Sequence, residues 1–561
     1  INGFIFICNM KLEKFINIAW YMERKPYSVH SSCDVFYMGI CRKLYTILHE
    51  LAYDDEYADT IDLDEEDCRE LAYTFTAYFE DQVNEIGFWR SLIALHKKHF
   101  GKRLPFFDAE SLKQDEEDYE DILPTDIHYL AYIKYMTLLS DDEEQALVFF
   151  NKPFFIELAE RVFNFLDEIE EIHTNGFYEK YLIPRDDYID FKMQLNWFCF
   201  HSYLTGVEFS AMLNDIEWHP VSEDTDRDLM APTMYAERDR LLFEVPSSLT
   251  AFFPVDILAG AMRCNDEKRQ EIINLKFRPH GIFHVQNETS THYRFLHTAT
   301  NEEFDVLISG FNNPIDTKKD EYWITTLAKW NSDHYISGLC LPSPYKGEEI
   351  YHRNLEMQHS FQKHFVPYRK HIEETALNYR NKTLEFFGTE LIVFDTGRQL
   401  QKKLNEFDQW YFDTVADKTK LDKNTQPVFF QLPKELAVAK DISLFIPPMD
   451  ALQFLLQHKK LLQLLQTKYP DKVSLEELQQ VLPMLFDDSV GADYWFYLKK
   501  NFPVPNLSLF LKCPVDTDED FNALLRIYRA ADFSPLVLPR FSTFTSERIS
   551  PETVNKIFDG V

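Results

Sequence analysis

The chain has 561 residues, with 92 Asp and Glu against 58 Lys and Arg and a formal net charge of −34. A charge of that sign repels a phosphate backbone and argues against a nucleic-acid binder. Only 15 glycines are present, with neither G-x-x-x-x-G-K-[ST] nor G-x-G-x-x-G, so the familiar phosphate-cradling loops are excluded. The hydrophobic fraction of 45% and aromatic fraction of 15% suffice for real cores, and the length allows about three or four domains.

Residues 1–9 (INGFIFICN) lack a basic lead and a small-residue cleavage site, so Met10 is the expected start. No apolar run of about 18 residues occurs, and no membrane span is expected. Residues 10–240 read as a helical domain: apolar side chains recur at spacings of three and four in 71–100, 128–140 and 144–170. Two acidic stretches interrupt the pattern. Residues 51–70 hold ten acids against Arg69, and 111–126 hold seven against Lys113. They read as solvated loops and helix N-termini, where negative charge suits the dipole, and neither has calcium-loop spacing.

A connecting segment, 241–274, leads to a change of period. The runs 281–288, 291–299, 302–310, 321–330 and 333–342 are rich in β-branched and aromatic residues. In the third, Phe304, Val306 and Ile308 share one face, and Asn331-Ser332-Asp333 fits a tight hairpin. A meander of five strands is most economically closed as a barrel over 275–342, because closure removes exposed edges. Residues 343–561 read as a mainly helical C-terminal domain. It contains a helix at 351–385, a strand-turn-helix at 390–405, an amphipathic helix at 449–468 capped by Asp450, a capping box of Ser474 with Glu477, and a helix at 519–530. The expected fold class is therefore α+β, mainly α, with helical domains flanking a small five-stranded SH3-like or OB-like β-barrel.

The stretch LAYTFTAYFEDQVNEIGFWRSLIALHKKHFGKRLPFFD (71–108) resembles the N-terminal signature of an uncharacterised domain-of-unknown-function family of gut-dwelling bacteria. The matching positions are Phe79-Glu80-Asp81, Gly87-Phe88-Trp89-Arg90, His96-Lys97-Lys98 and Leu104-Pro105-Phe106. The opening KPYSVHSSCDVFYMGICRKLYTIL (25–48) is similar to the family's, with Asp34-Val35-Phe36-Tyr37 in place of its usual Asp-x-Tyr-Tyr. A looser resemblance runs through 442–448, 494–509 and 521–533. It implies a shared fold and carries no activity.

Candidate chemistry is sparse. Eight dispersed cysteines without C-x-x-C read as free thiols of a reducing compartment. Glu170 with His173, and Glu356 with His359, have the E-x-x-H spacing that puts a carboxylate and an imidazole on one helical face, but His173 suits the negative end of a helix dipole and Glu356 with His359 sits in a stretch of exposed polar residues. His352, His359, His364 and His371, with Lys363, Arg369 and Lys370, form a basic segment suited to an anion or an acidic partner. Asp395-Thr396-Gly397 ends a strand and opens a helix, where an aspartate can serve as ligand, base or N-cap. Trp323, Trp330 and Tyr335 are the candidate partner-binding residues, as aromatics on a barrel rim stack prolines or cations. Alternation places Trp330 with Tyr322 and Ile324, and Trp323 on the opposite face with Leu327.

These readings point to a cytoplasmic, non-enzymatic binding or scaffold protein that contacts a peptide or protein partner. No cofactor and no metal are expected, nor a nucleic-acid or membrane partner. The alternative is a hydrolase or metal-dependent enzyme with an interdomain site, so catalysis stays open.

Overall fold

The computed structural model describes residues 14–58, 61–118, 121–138, 150, 152–218, 227–247, 252–298, 301–308, 320–345, 366–414, 427, 429–448, 452–456, 458–466, 490–502, 518–528 and 530–533. Two compact units emerge: residues 1–364 with 512–536, and residues 365–511 with 537–561. The expected class holds, mainly α with a small β part.

In the first unit the helices Ser32–Ala52 and Glu65–Val83 pack on each other, and each begins with a reciprocal capping box. Asp64 and Asp67 form the second box, so part of the acidic run does serve a helix start. The expected periodicity over 71–100 breaks into two helices, Glu65–Val83 and Phe88–Phe100. Left-handed backbone at Glu85 and Gly87 makes the break, and Asp81 holds it: Oδ1 accepts from the backbone N–H of Gly87 (2.6 Å) and Phe88 (3.2 Å), and Oδ2 from that of Trp89 (2.7 Å). The helix Pro254–Ala261 lies against Phe88–Phe100 at Gly260, where a Cβ would come within 2.0 Å of Ser91 Oγ. Residues 241–274 thus contain packed helices, including Asp266–Asn274. The helix Asp518–Tyr528, expected from the sequence, belongs to this unit, where Asp520 pairs with Lys102 and accepts from the Phe106 N–H at 2.8 Å.

The five strands fall almost where the pattern put them: β1 His280–Glu288, β2 His292–His297, β3 Glu303–Leu307, β4 Tyr322–Trp330 and β5 Asp333–Pro342. Their order is not a simple meander. The barrel closes as β1-β2-β3-β5-β4, with β3 and β5 paired in parallel through Val306 and His334, and with β4 returning to β1. Crossing β5 between β3 and β4 fits the OB-like alternative better than the SH3-like one, whose neighbours follow chain order. Phe283, Val285, Tyr293, Phe295, Val306, Trp323 and Leu327 fill the interior.

In the second unit, β6 Leu391–Thr396, β7 Lys440–Phe445 and β8 Gln453–Leu456 form an antiparallel sheet. The helix Gly397–Thr414 packs Leu400, Leu404 and Phe407 on one face of it, with Ile442 and Leu444. The amphipathic helix expected over 449–468 is replaced by β8 and a shorter helix, His458–Leu465. Pairing with β7, from Phe445 with Gln453 to Ile442 with Leu456, overrides the helical period there. Asp450, Ser474 and Glu477 lie outside the described residues.

Candidate functional site

Glu80 and Asp81 are consecutive on one helix, so their side chains diverge by about 100° and enter two different clusters. Asp81 faces inward to the break described above and also accepts from Tyr203 Oη at 2.7 Å. Burial pushes its carboxyl above the ordinary range against the pull of those donors. Next to it, Asp126 Oδ2 accepts from Trp89 Nε1 (2.7 Å) and Tyr78 Oη (3.0 Å) and pairs with Arg103.

Glu80 faces the other way. It pairs with Lys25, both side chains being almost wholly buried, and Oε1 accepts from Asn175 Nδ2 at 3.2 Å. Asn175 Nδ2 also donates to Tyr27 Oη (2.6 Å), which donates to Asp34 Oδ1 (2.6 Å). Asp34 Oδ2 accepts from the backbone N–H and hydroxyl of Ser31 at 2.7 and 2.8 Å. The Asn84 side chain donates to Tyr37 Oη (2.7 Å) and accepts from the Asn175 N–H (3.0 Å), while Tyr37 Oη donates to the His173 carbonyl (2.9 Å). Three distant segments, 25–37, 80–84 and 173–175, are thereby fixed to one another. Burial, with Glu80 and Asp34 nearby, pushes the Tyr27 phenol up, and burial first, then Glu80, pushes the Cys33 thiol up to about 12. Neither is an activated nucleophile.

Residues next in sequence to this cluster include exposed apolar and acidic side chains. Val29 is 79% exposed, Val35 47% and Ile172 46%. The Phe36 ring stacks on His173 with centroids 4.2 Å apart. Asp167, Glu168, Glu170 and Glu171 are exposed immediately before Ile172. The helix Pro153–Asp167 has ended by then, so Glu170 and His173 do not share a helical face; His173 Nε2 instead lies 3.2 Å from Glu171 Oε1. Glu356, His352, His359, His364 and Lys363 lie outside the described residues, and so do the side chains of Arg369, Lys370 and His371. Among the described residues no group of three or more His, Cys, Asp and Glu could hold a metal ion.

The barrel aromatics are placed differently from the expected partner rim. Trp323 is 6% exposed inside the barrel, Trp330 fully buried, and Tyr335 6% exposed. Trp330 points out of the barrel, but the helix Tyr188–His201 covers it: Phe191 stacks on it at 4.3 Å, its Nε1 donates to the Asp186 carbonyl (2.9 Å), and the Lys268 ammonium lies 3.3 Å from its ring. Tyr335 packs on Tyr188 at 5.3 Å. The face assignment by alternation stands, with a bulge between Thr325 and Thr326, yet both faces are covered and none of the three offers a free ring.

Beside that seam lies a buried ion network that the sequence did not mark. Asp239 pairs with Arg278 and Lys192, Ser337 Oγ donates to Asp239 Oδ1 (2.7 Å), Arg278 reaches Glu244 (3.1 Å), and Tyr188 Oη lies 2.6 Å from Ser337 Oγ. In the second unit, Asp395 is exposed on an antiparallel sheet rather than at the C-terminal edge of a parallel one; it pairs with Lys459 at 3.2 Å, and the Thr396 hydroxyl accepts from the Gln399 N–H at 3.4 Å.

Residues 18–273 match the family model described as "Protein of unknown function (DUF3843)", which spans both clusters built on Glu80 and Asp81. No curated protein and no solved structure matches the chain. Among the described residues no helix is long and apolar enough to cross a membrane, and no described cysteine is in a disulfide.

Proposed function

We propose that this chain is a cytoplasmic, non-enzymatic binding or scaffold protein, and that its partner is a peptide or protein segment bearing apolar and basic side chains. The observation that carries the reading is the exposure of Val29, Val35 and Ile172 next in sequence to segments fixed by the Tyr27, Asn84 and Asn175 hydrogen bonds, with Asp167, Glu168, Glu170 and Glu171 exposed just before Ile172. Apolar side chains supply burial on docking, acids choose a basic partner and speed its approach, and a pre-fixed backbone lowers the ordering cost. With the barrel aromatics in the core, these residues replace them as the partner rim. The dispersed spacing of the cysteines, with those among the described residues free, supports a reducing compartment.

The test is fluorescence anisotropy with two labelled synthetic peptides, one amphipathic with leucine and lysine, the other with leucine and glutamate. The full chain should bind the lysine peptide, with affinity falling as salt rises, and V35S/I172S should weaken it at least ten-fold. Equal binding of both peptides, or indifference to the double substitution, would remove the rim from consideration.

A further inference from the structure

Lys134 lies on the helix Pro124–Leu138, 2% exposed, and its ammonium nitrogen has no hydrogen-bond partner. Ile127, Leu130 and Ala131, one and two turns before it on the same helical face, are equally buried. Two acids from other helices act on its charge: Glu70 of Glu65–Val83 and Glu208 of Gly206–Trp218. Each is itself engaged, Glu70 with Arg24 and Glu208 with the Ser247 hydroxyl at 2.6 Å. Burial brings the lysine down to about 8 from its ordinary 10.5, against the opposing pull of both acids. A buried ammonium without an acceptor is costly, and such groups collect at sites that use them.

We propose that Lys134 is an internal binding and nucleophilic site for a small uncharged carbonyl compound, an aldehyde or ketone. Three N–H donors without an acceptor call for a ligand oxygen. The apolar helix face calls for an uncharged ligand, and Glu70 and Glu208 turn away an anion. The unprotonated amine attacks the carbonyl carbon, and the C=O π pair moves to oxygen. Relative to the ammonium form, two protons leave nitrogen with that oxygen as water, and the resulting iminium keeps one proton and the positive charge, still facing both acids. The site is independent of the partner rim.

The full chain is treated at pH 7.5 with propanal and sodium cyanoborohydride, which reduces any iminium to a stable secondary amine, and modified lysines are mapped by peptide mass spectrometry. Lys134 should be alkylated at least ten-fold faster than the exposed lysines, and the adduct should be absent in K134M. The labelling is read on the unsubstituted chain, so it does not depend on whether the variant folds. An unmodified Lys134 beside alkylated surface lysines, or one that reacts only when urea unfolds the chain, would overturn the proposal. Either result leaves the leucine-lysine peptide titration unaffected, so failure here is separable from failure of the partner rim.

Discussion

Asp81 and Asp239 are both buried carboxylates of the same compact unit, and their surroundings push them in opposite directions. Asp81 is surrounded by neutral donors, three backbone N–H groups and a phenol, and burial outweighs them, so its carboxyl sits above the ordinary range. Burial also pushes Asp239 upward, but Arg278 and Lys192 outweigh it and hold the carboxyl well below that range. Burial alone therefore does not set the charge of a carboxylate; the count of cations against it does. The two sites must respond differently to acid. Asp239 adds stability fully present above its unfolded value, about 3.9, and lost as pH falls below that. Asp81 keeps a proton that the unfolded chain has released, so its contribution declines as pH rises through and beyond about 3.9.

The largest expected effect comes from breaking the Asp239 site. Asp239→Ala leaves Arg278 and Lys192 buried without their shared anion, and urea unfolding should show a loss of about 3–5 kcal/mol. Asp239→Asn should close part of its gap to the unsubstituted chain below about pH 4, where the native carboxylate loses its advantage. A gap that stays constant from pH 3 to 6 would mean the network is not electrostatic in origin.

Of comparable size are the two tryptophans on opposite faces of β4. Trp323→Ala opens the barrel interior and Trp330→Ala opens the seam against Phe191, each costing about 3–5 kcal/mol in the same measurement. If Trp323→Ala left the melting temperature within a few degrees, the side chain would be exposed and the barrel rim would return as a partner surface.

What the sequence disclosed and what it hid follow from range. Strand limits in the barrel were readable because a period of two is local, as Phe304, Val306 and Ile308 demonstrate. Strand order was not, because the β3–β5 contact depends on a crossover that no local pattern encodes. The helical period over 452–456 misleads because Gln453, Phe454, Leu455 and Leu456 acquire their state from β7, not from their own spacing. The motifs at 79–81 and 87–89 carry the resemblance, yet the Asp81 carboxylate grips the helix start only through a chain reversal at 85–87 that the motifs do not encode. Lys134, Asn175 and Asp239 gave no signal, since each matters only through partners dozens of residues away. Trp330 was placed on the correct face, but the helix that covers that face could not be inferred from the strand.

A smaller effect tests the Asp81 half of the comparison. Asp81→Asn retains one oxygen but turns the other into a donor, facing either the Gly87 and Phe88 N–H groups or Trp89 N–H and Tyr203 Oη. The cost should be about 1–3 kcal/mol, from donors left unsatisfied. Its pH dependence should oppose that of the Asp239 variant, with the deficit smallest at neutral pH, where the native carboxylate carries its full desolvation cost.

The smallest effect belongs to a carboxylate that is paired but not buried. Asp395 bonds Lys459 at 3.2 Å, with side chains 71% and 53% exposed, so water screens the pair and two flexible side chains lose freedom in making it. The helix start that follows does not depend on the Asp395 carboxylate, because the Thr396 hydroxyl accepts from the Gln399 N–H. Asp395→Asn should therefore change unfolding free energy by less than about 1 kcal/mol, and added salt should reduce even that. The same chemical change at Asp239 removes a charge from between two buried cations, so the ratio of the two losses measures how far burial, rather than pairing, sets the strength of an ion pair in this protein. A loss at Asp395 as large as that at Asp239 would show that the strand-to-helix junction carries a structural or ligand role that its exposure conceals.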